Sequence, residues 1–368
     1  MAKAAETILE IDLNALTHNF EYLKSKLQKN IKFLAVVKAF AYGSDAEEIA
    51  LRLQSLNVDY FAVAYTSEGV ALRDAGITTP ILVLHPQPIN FKTIIDRCLE
   101  PSLYSERVLK NFITCAEKES QTHYPIHIKF NTGLNRLGFE ENDVGYVVSQ
   151  LKDNKAVKVV SVFSHLAASE DINEQLFTKT QISDFKSIAK SFINAMGYKP
   201  LMHLCNTSGT LNYPEAHFDM VRSGIGLYGF SNSQKETKNL KPIVSLKSVI
   251  SQIHLIEKGE TVGYNMAFKS KAFKKTATIP IGHADGIGRH FGNGKGFVFI
   301  NKEKAFIVGN VCMDMIMVDV THIDCNEGDE VIIFDKQYTA ENLAESANTI
   351  SYELITSISR RIKRKIIK

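Results

Sequence analysis

Short apolar runs alternate along the first part of the chain with longer segments in which apolar residues recur at every third or fourth position. This alternation is typical of βα units around a parallel sheet, because the strands are buried and each covering helix has one apolar face. Helical spacing is clearest at 16–28, 105–118 and 174–196. The apolar runs predict strands at 33–38, 60–65, 81–85, 101–104, 126–130, 159–165, 201–206 and 224–230.

Eight strands joined by helices predict a closed (β/α)8 barrel, and a length of about 220 residues is normal for that fold. The alternative is an open, doubly wound sheet, which would carry a glycine-rich phosphate turn after its first strand. No such turn follows the run at 33–38. We therefore predict the α/β class, with a TIM-type barrel over residues 1–235.

The pattern changes after the polar stretch SNSQKETKNLK at 231–241, which we interpret as a linker. Beyond it the apolar residues recur at every second position, which is typical of strands that are buried on one face. We predict a mostly β domain over 236–368 that ends in an amphipathic helix at 340–364, and the first residues of the chain are candidates to pair with it. The strand segments are 243–256, 274–281, 296–300, 305–320 and 329–334.

Composition narrows the class of protein. The 368 residues are 45% hydrophobic with a net charge of +3, and only the end of the chain, SRRIKRKIIK, concentrates positive charge, so we expect no nucleic-acid partner. The start of the chain lacks the pattern of a secretory signal, and no uncharged run approaches the ~20 residues of a membrane span, so we expect a cytoplasmic protein without a membrane partner. The five cysteines form no CxxC pair, which argues against structural zinc or a disulfide framework.

Polar side chains follow the ends of the predicted strands, where the active site of a barrel of this type lies. A single lysine at such a place is more often a surface residue, and a single histidine is more often structural. Several cations, hydroxyls and histidines at one mouth instead indicate a site for an anionic ligand with a lysine as nucleophile or base. The residues at or just beyond strand ends are Lys38, Tyr42, Tyr65, His85, Lys129, Asn131, Arg136, His165, His203, Asn206, Thr207 and Ser208, while Arg222 and Ser223 precede the eighth predicted strand.

Lys38 ends the first apolar run, FLAVVK, where a buried ammonium is costly unless it is paired or used chemically. A lysine amine attacks a carbonyl only when neutral, and lowering its pKa from ~10.4 towards ~7 requires roughly 4 to 5 kcal/mol of disfavoured charge. The segments NTSGT at 206–210 and RSGIG at 222–226 have the hydroxyls and small residues of a phosphate cradle. A phosphorylated aldehyde satisfies both features, and that cofactor is pyridoxal 5′-phosphate.

Two other chemistries are weaker. His283, Asp285 and His290 form a short cluster in GHADGIGRH, but the histidines show no HxxxH or HExxH spacing, so we expect no metal. No local signature of a catalytic nucleophile surrounds any cysteine.

Taken together, the motifs resemble the alanine racemase family, whose members have a barrel that binds pyridoxal 5′-phosphate followed by a β domain. The resemblance covers nearly the whole chain. It rests on AVVKAFAYG, KFNTGLNRLGF, FSHLAASE, HLCNTSGT, VRSGIGLYG, VGYNMAF, IGHADGIGR, VGNVCMDMIMVDV and ISYELITSISRR, which occur in the order of the family.

The resemblance implies two bases on opposite faces of the substrate α-carbon. Lys38 carries the cofactor and serves one face, and Tyr264 serves the other. A tyrosine with a pKa of ~10 is a poor base alone, and His165 with Arg222 is similar to the hydrogen-bonded chain that tunes it in the family. Asp314 is implied as a further supporting residue.

The remaining roles also come from the resemblance. Arg222 would face the pyridine nitrogen and, because arginine keeps its proton, would leave that nitrogen unprotonated. Arg136 and the backbone of Met313 would hold the substrate carboxylate, and Lys129 matches a position that is carbamylated in many relatives. The phosphate-binding positions are matched by Tyr42, Thr207, Ser208, Gly224, Ile225 and Tyr352.

The family implies a homodimer in which Tyr264 and Met313 reach the active site of the other subunit, and alanine as the substrate, which would supply D-alanine for peptidoglycan. Phe40, Asn131, Ser223 and His283 depart from the usual residues of the family, as does the terminal RRIKR without its proline. The alternatives are a broad-specificity amino-acid racemase, a related barrel decarboxylase with the same cofactor, and a non-catalytic cofactor-binding protein. Arg222 argues against the decarboxylase, and the second domain argues against the non-catalytic protein.

Overall fold

A computed structural model of the chain describes residues 4–231 and 234–368, and it forms two compact units. The barrel unit comprises Thr17–Ala41 and Ala46–Leu240. The β unit comprises the residues up to Leu16, the short segment Tyr42–Asp45, and Lys241–Lys368. The boundary after Leu240 lies five residues beyond the predicted one at 235. Of the predicted linker, Asn232 and Ser233 lie outside the described residues, and a one-turn helix, Gln234–Thr237, follows them.

The barrel unit contains a closed parallel barrel of eight strands, which confirms the predicted fold class. The first strand of the chain, β1 (Ile8–Asp12), belongs to the β unit. The barrel closes where the first and last of its strands pair, with Leu34 opposite Arg222. Its strands are β2 (Lys32–Val36), β3 (Tyr60–Val63), β4 (Ile81–Val83), β5 (Glu100–Leu103), β6 (Tyr124–Lys129), β7 (Val157–Phe163), β8 (Leu201–His203) and β9 (Met220–Ser223).

The predicted strand at 224–230 is wrong, because the eighth strand of the barrel is β9, just before it. The segment instead forms consecutive tight turns, in which the N–H of Leu227 donates to the carbonyl of Gly224 at 2.9 Å and that of Tyr228 to Ile225 at 3.1 Å. An apolar run predicts burial but does not separate a buried turn from a buried strand. The other predicted strands extend one to three residues too far, so that Lys38, His85 and His165 lie in the loops that follow their strands.

Helices separate the barrel strands as the spacing predicts. The helix Glu106–Lys118 begins after Ser105, whose side chain accepts a hydrogen bond from the N–H of Val108, and it buries Leu109 and Phe112 on one face. The others are Leu13–Ser25, Ala46–Ser55, Thr66–Asp74, Phe91–Asp96, Val144–Leu151, Gln175–Met196 and Thr207–Asn212. No helix in the described part of the chain is long and apolar enough to cross a membrane.

The barrel interior is divided between apolar and polar side chains. The neighbouring strands β9, β2, β3 and β4 contribute an apolar cluster, made of Leu34, Ala62, Leu82 and Met220. The strands β5 to β8 contribute buried polar side chains, namely Glu100, His127, Ser161 and His203.

The β unit adds ten strands to β1 in the described part of the chain. They are β10 (Val244–Val249), β11 (Gln252–Ile256), β12 (Thr261–Val262), β13 (Phe268–Lys269), β14 (Lys274–Ile279), β15 (Phe297–Ile300), β16 (Glu303–Val308), β17 (Ile316–Asp319), β18 (Glu330–Phe334) and β19 (Lys363–Ile367). One sheet has the order β11-β14-β17-β16-β15-β18-β10-β1-β19, and β12 and β13 form a separate pair. The strand β1 pairs antiparallel with β10 and parallel with β19.

The predicted terminal helix is also wrong. The segment contains two short helices, Ala340–Ser346 and Ser351–Ser357, and the chain then ends in the strand β19. Basic and apolar residues in KRKII suit this edge strand, because Lys365 donates to the carboxylate of Glu10 on β1 at 3.0 Å. The terminal basic residues therefore belong to a sheet edge rather than to a solvated helix face.

Candidate active site

Lys38 opens a tight turn directly after β2. The turn Lys38–Tyr42 places Ala39, Phe40 and Ala41 in the left-handed region, at φ values of 54°, 55° and 52°. For residues other than glycine this conformation costs roughly 1–2 kcal/mol each. Consecutive strained residues persist only where surrounding contacts hold them. The turn therefore marks Lys38 as a residue whose position the fold fixes.

The Glu68 carboxylate holds this turn. One oxygen accepts a hydrogen bond from the N–H of Ala39 at 2.6 Å. The other accepts from the N–H groups of Ala64 and Tyr65, at 2.7 and 3.0 Å, at the end of β3. Sequence reasoning missed Glu68, although a glutamate at the third position of the helix Thr66–Asp74 is a signal for a local N-terminal cap.

The environment of Lys38 favours its neutral amine. Burial lowers the pKa of Lys38, the nearby Arg136 lowers it further, and Glu68 acts in the opposite direction. A larger fraction of Lys38 is therefore neutral than of a solvated lysine, and only the neutral amine can act as a nucleophile or accept a proton.

Arg222 on β9 is buried, and both terminal nitrogens of its guanidinium group are hydrogen-bonded. Its Nη1 lies 2.7 Å from Nδ1 of His203, and its Nη2 lies 3.0 Å from Nδ1 of His165. Nη2 also donates to the carbonyls of Ser164 and Leu204, at 2.8 and 2.9 Å. Burial lowers the pKa of Arg222 to about 10, so the group keeps its proton at neutral pH. Its Nε–H donates to no described residue.

His165 is neutral in this environment. Burial lowers its pKa well below the usual range, and the cations of Arg222, Arg136, Lys129 and Lys38 lower it further. Gln181, which sequence reasoning missed, supports its backbone by donating to the carbonyl of His165 at 3.3 Å.

Lys129 is a buried cation near other cations. Its residue is 7% exposed, and burial, Arg136, Arg222 and Lys38 lower its pKa to about 8. Its Nζ lies 5.9 Å from the ring centre of Phe163, and in the described part of the chain no carboxylate forms an ion pair with it. Because this charge has no ion-pair partner among the described residues, the neutral form of the side chain is favoured.

The loop that presents Arg136 is held by Asn131. The side-chain oxygen of Asn131 accepts from the N–H groups of Gly133 and Asn135, at 3.2 and 3.0 Å. Its amide nitrogen donates to Glu140 at 2.9 Å. These hydrogen bonds of Asn131 stabilise the conformation of the loop. Arg136 itself is exposed.

A cradle of hydroxyls and backbone N–H groups forms where β8 and β9 end. Thr207 Oγ1 accepts from the N–H groups of Gly224 and Gly226 at 3.3 and 3.4 Å, and lies 3.0 Å from the hydroxyl of Ser223. A Cβ at Gly226 would lie 2.6 Å from Thr207 Cγ2, so only glycine allows this approach. Within the described ranges, the N–H groups of Ser208 and Ile225 donate to no acceptor. These donors suit a phosphate group.

Two of the predicted phosphate-binding residues belong to the β unit. The rings of Tyr42 and Tyr352 lie 6.2 Å apart at an angle of 56°. Burial, and then Tyr352, raises the pKa of Tyr42 above its usual range, so the hydroxyl remains a neutral hydrogen-bond donor.

Tyr264 and Met313 project from the β unit, where they are 71% and 58% exposed. Tyr264 follows Gly263, which has a φ of 79°, and Asn310 donates to the Tyr264 carbonyl at 3.1 Å. Both exposed residues line a groove of about 540 Å³ together with Asp314. The N–H of Met313 is not hydrogen-bonded to any residue that the structure describes.

Asp314 is bonded to Arg361, at 2.6 Å from its Nη2. The same guanidinium pairs with both oxygens of Asp285, at 2.6 and 3.0 Å. Asp285 is therefore an ion-pair partner of Arg361, and no group of three side chains that could hold a metal ion occurs among the described residues.

Two groups can be distinguished among the residues predicted at the barrel mouth. Electrostatic coupling links Lys38, Lys129, Arg136, His165 and Arg222 in the barrel unit. His85 instead joins Tyr104, whose hydroxyl lies 3.2 Å from its Nδ1, and Tyr65, whose ring centre is 5.9 Å away.

Family models match nearly the whole chain. The model of the alanine racemase N-terminal domain matches residues 11–232, and that of the C-terminal domain matches residues 243–366. An alanine racemase of Thermodesulfovibrio yellowstonii is 36% identical over 97% of both chains. One of Clostridium perfringens is 36% identical over 96% of this chain and 94% of its own.

Solved structures are similar throughout. An alanine racemase of Clostridium difficile has a TM-score of 0.92 at 32% identity and covers 100% of this chain and 97% of its own. The alanine racemase of Bacillus anthracis with bound L-Ala-P has a TM-score of 0.91 at 28% identity, with 100% and 96% covered. The alanine racemase of Bartonella henselae with covalently bound pyridoxal phosphate has a TM-score of 0.90 at 29% identity, with 99% and 100% covered.

Proposed function

This chain belongs to the alanine racemase family, and we propose that it interconverts L-alanine and D-alanine with Lys38 and Tyr264 as opposing bases. The enzyme is an isomerase that depends on pyridoxal 5′-phosphate. The observation that carries the assignment of residues is the position of Lys38, in a strained turn at the barrel mouth, with its pKa lowered by burial and by Arg136.

The donors at the barrel mouth fit the cofactor. The N–H groups of Ser208 and Ile225 lack intramolecular acceptors among the described residues, and with Thr207 and Gly224 they would hold its phosphate. Tyr42 and Tyr352 would contribute hydroxyls. Lys38 would carry the aldehyde carbon, and Arg222 would face the ring nitrogen. When bound, pyridoxal 5′-phosphate withdraws electrons from the substrate and so makes the α-carbon hydrogen acidic.

Lys38 and Tyr264 exchange the α-proton on opposite faces of the substrate. A neutral Lys38 amine accepts a proton from one face, and the Tyr264 hydroxyl supplies one to the other. In the reverse direction the two residues exchange roles. His165 and Arg222 are coupled by the 3.0 Å contact between Nη2 and Nδ1, which fixes the orientation of the neutral imidazole. Asp314 supports the loop of Met313 through its ion pair with Arg361.

Arg222 directs the reaction towards racemisation. It keeps its proton at neutral pH, so it would donate a hydrogen bond to the ring nitrogen of the bound cofactor without protonating it. Electron withdrawal from the substrate would then be weaker than opposite an aspartate, which would favour rapid return of the proton to the α-carbon. A barrel decarboxylase would be expected to have an acidic residue at this position.

Arg136 and the N–H of Met313 would bind the substrate carboxylate. Lys129 supports Arg136 once its amine has reacted with carbon dioxide to give an N-carboxylate and one released proton. The product is an anion, so the buried cation becomes a partner for Arg136. The lowered pKa of about 8 provides the neutral amine that this reaction needs.

The active form is a homodimer in which each β unit completes the site of the other chain. Tyr264 is 71% exposed and Met313 58% exposed, an unusual state for a base and a substrate-binding group. Met266 and Met315, at 70% and 46% exposure, surround them with apolar surface. Exposed apolar surface around functional residues is typical of an interface that another copy of the chain covers.

The D-alanine that the reaction produces would be used for peptidoglycan. We expect the reaction to occur in the cytoplasm. We expect no nucleic-acid or membrane partner. A racemase with broader specificity is the second candidate, because His283 replaces the usual tyrosine of the family in a cavity of about 190 Å³ that His290 and Glu353 also line.

The test is to incubate the purified holoenzyme with L-alanine and to measure the enantiomers by chiral chromatography, with Lys38→Ala as the matched control. Alanine racemisation that Lys38→Ala abolishes supports the proposal, whereas retention of pure L-alanine by the wild type would refute it. A panel of amino acids in the same assay separates the broad-specificity alternative. Carbon dioxide release would instead indicate a decarboxylase.

A further inference from the structure

A continuous series of hydrogen bonds leads from Arg222 through the barrel interior to a distant carboxylate. His203 Nε2 lies 2.9 Å from Ser161 Oγ, and Ser161 Oγ lies 2.6 Å from His127 Nδ1. His127 Nε2 lies 2.7 Å from Oε2 of Glu100. We call these five residues the barrel chain. All are buried, and Glu100 is the most exposed of them at 9%.

Strand register explains how the barrel chain forms. His127 pairs with Ser161 across β6 and β7. His203 pairs with Phe163, two residues beyond Ser161, and Arg222 lies two residues beyond Met220, which pairs with His203. Steps of two residues keep the side chains on the interior face. The barrel chain therefore runs from Glu100 in the interior towards Arg222 at the mouth, along one side of the barrel.

The proton positions follow from Arg222, because a guanidinium only donates. Nδ1 of His203 must accept from Nη1, so neutral His203 carries its proton on Nε2 and donates to Ser161. The single hydroxyl proton of Ser161 then goes to Nδ1 of His127. His127 carries its own proton on Nε2 and donates to Glu100, which accepts as a carboxylate.

The opposite assignment leaves a buried proton without an acceptor. If His127 were doubly protonated, Ser161 would accept from both histidines, and its hydroxyl proton would have no acceptor within the described ranges. A buried donor without an acceptor destabilises the folded state. Burial and the neighbouring Arg222 lower the pKa of His203 well below its usual range, in agreement with a neutral ring.

Arg222 needs a counter-charge that its direct neighbours lack. Its hydrogen-bond partners among the described residues are two neutral histidines and two carbonyls. The other titratable or charged groups coupled to this part of the site are Lys38, Lys129 and Arg136, and the N-carboxylate proposed for Lys129 is paired with Arg136. Glu100 is the carboxylate at the other end of the barrel chain, and aligned hydrogen bonds in a low-dielectric interior transmit its charge.

We propose that Glu100 is a positioning residue for the cofactor, which sets the orientation and donor strength of Arg222 through His127, Ser161 and His203. This inference rests on the proposed function. The hydrogen bonds of the barrel chain, aligned by the charge of Glu100, would weaken the hydrogen bond that Arg222 donates to the ring nitrogen of the cofactor. Loss of the Glu100 charge makes the Arg222 N–H more acidic, strengthens its hydrogen bond to the ring and lengthens the life of the deprotonated substrate.

A longer-lived deprotonated substrate returns its proton to the cofactor more often. In that side reaction the amino group and two electrons pass to the cofactor, and alanine, after addition of water, leaves as its 2-oxo acid. The measurable consequence is the number of racemisations per 2-oxo acid released. Glu100→Gln keeps the shape and an acceptor oxygen, and we expect it to lower this ratio on the order of threefold to tenfold, the size of effect typical of remote members of a coupled network.

The experiment uses holoenzyme labelled with ¹⁵N-histidine. The ring nitrogens report the tautomers directly, and we expect Nε2–H in both His127 and His203 between pH 6.5 and 8.5. Ser161→Ala breaks the barrel chain at its centre and serves as the second variant. Ser102→Ala is the matched control, because Ser102 lies two residues beyond Glu100 on β5 and its buried hydroxyl has no hydrogen-bond partner among the described residues.

The two readouts separate the inference from the proposed function. Absence of alanine racemisation in the wild type would remove the proposed function, while the histidine tautomers would still test the barrel chain. Nδ1–H tautomers or a doubly protonated His127 would overturn the inference. An active wild type in which Glu100→Gln and Ser161→Ala both match Ser102→Ala in the ratio of racemisation to 2-oxo acid would overturn it as well.

Discussion

The carboxylate of Glu68 accepts a hydrogen bond from the N–H of Ala39, the residue immediately after Lys38, at 2.6 Å. This contact joins the loop after β2 to the start of the helix Thr66–Asp74. It also fixes the first residue of the left-handed turn, so that the direction in which Lys38 leaves the backbone depends on a side chain from the next βα unit. The position of the amine is therefore a tertiary property.

Glu68→Gln is expected to weaken cofactor binding and to destabilise the protein. The amide keeps one acceptor oxygen, but its NH₂ group cannot accept a hydrogen bond from the backbone N–H groups that face it. The hydrogen bonds that the charged carboxylate accepts are therefore weakened or lost. We expect a loss of about 1.5–3 kcal/mol in the free energy of unfolding. Urea unfolding and a spectroscopic titration with the cofactor measure both effects. Glu47→Gln, at an exposed helix position, is the control, and equal behaviour of the two variants would contradict this role of Glu68.

Ala39→Gly is expected to stabilise the fold. Ala39 is exposed with a φ of 54°, so glycine relieves backbone strain and removes no buried side chain. The gain is up to about 1 kcal/mol, because the greater freedom of glycine in the unfolded chain offsets part of the relief. Ala71→Gly, inside a helix, is expected to have the opposite sign, at about 1 kcal/mol of destabilisation. Thermal unfolding compares them, and a lower midpoint for Ala39→Gly would show that the turn is not strained.

Stability is expected to fall as the pH drops below 6.5. His165 and His203 have folded-state pKa values well below their ordinary value of 6.5. Below pH 6.5 the unfolded chain therefore binds two protons that the folded chain does not, and each contributes a slope of about 1.4 kcal/mol per pH unit. Above pH 6.5 neither state binds them, and the contribution is constant.

Urea unfolding between pH 5 and 7.5, at a fixed protein concentration, measures this slope. His165→Gln should roughly halve it. His322→Gln, which changes an exposed histidine, should leave it unchanged. A stability that is flat across this range would mean that the folded and unfolded chains bind these two protons equally, so that folding does not lower either pKa.

Lys129 is expected to make activity depend on carbon dioxide. Because its pKa is about 8, a substantial fraction of the amine is neutral near pH 8 and able to react. Depletion of carbon dioxide should lower the affinity for alanine, and bicarbonate should restore it. A ¹³C signal from labelled bicarbonate that is absent in Lys129→Gln would assign the adduct. Equal Michaelis constants with and without bicarbonate, together with no ¹³C signal, would contradict the modification.

The fold was predictable from the sequence where a buried apolar run is also a strand. The apolar runs at 33–38 and 60–65 are barrel strands, because parallel strands are buried on both faces. The run at 224–230 is equally buried but forms turns that glycines permit. The terminal residues of β19 alternate over too few positions for their pairing with β1 to be evident. In both cases tertiary contacts outweigh the local pattern.

The site was predictable only as far as residues that end strands. Lys38 was identified because barrel geometry brings strand ends together, whereas Arg222 was placed before the eighth predicted strand and lies near the end of β9 in the structure. Glu68, Glu100 and Ser161 were missed because their partners come from other strands and helices, and the register that aligns them is not encoded in any single segment. No local motif distinguishes Glu100 from a surface glutamate.

Subunit complementation is expected to show whether Tyr264 acts across a dimer interface. Lys38→Ala removes the barrel base, and Tyr264→Ala removes the residue that is 71% exposed on the β unit. A mixed dimer has one site with both defects and one site with neither, if each β unit serves the other barrel. Random exchange makes half of the dimers mixed, so activity should recover to about a quarter of the wild-type value.

Lys38→Ala mixed with Arg136→Ala is the control, because both residues belong to the barrel unit and every mixed dimer then carries one defect in each site. That pair should remain inactive. The same result for Lys38→Ala with Tyr264→Ala, in samples where mass spectrometry demonstrates subunit exchange, would mean that Tyr264 serves its own chain. Recovery in the first pair and not in the second would place the two bases of one site on different subunits.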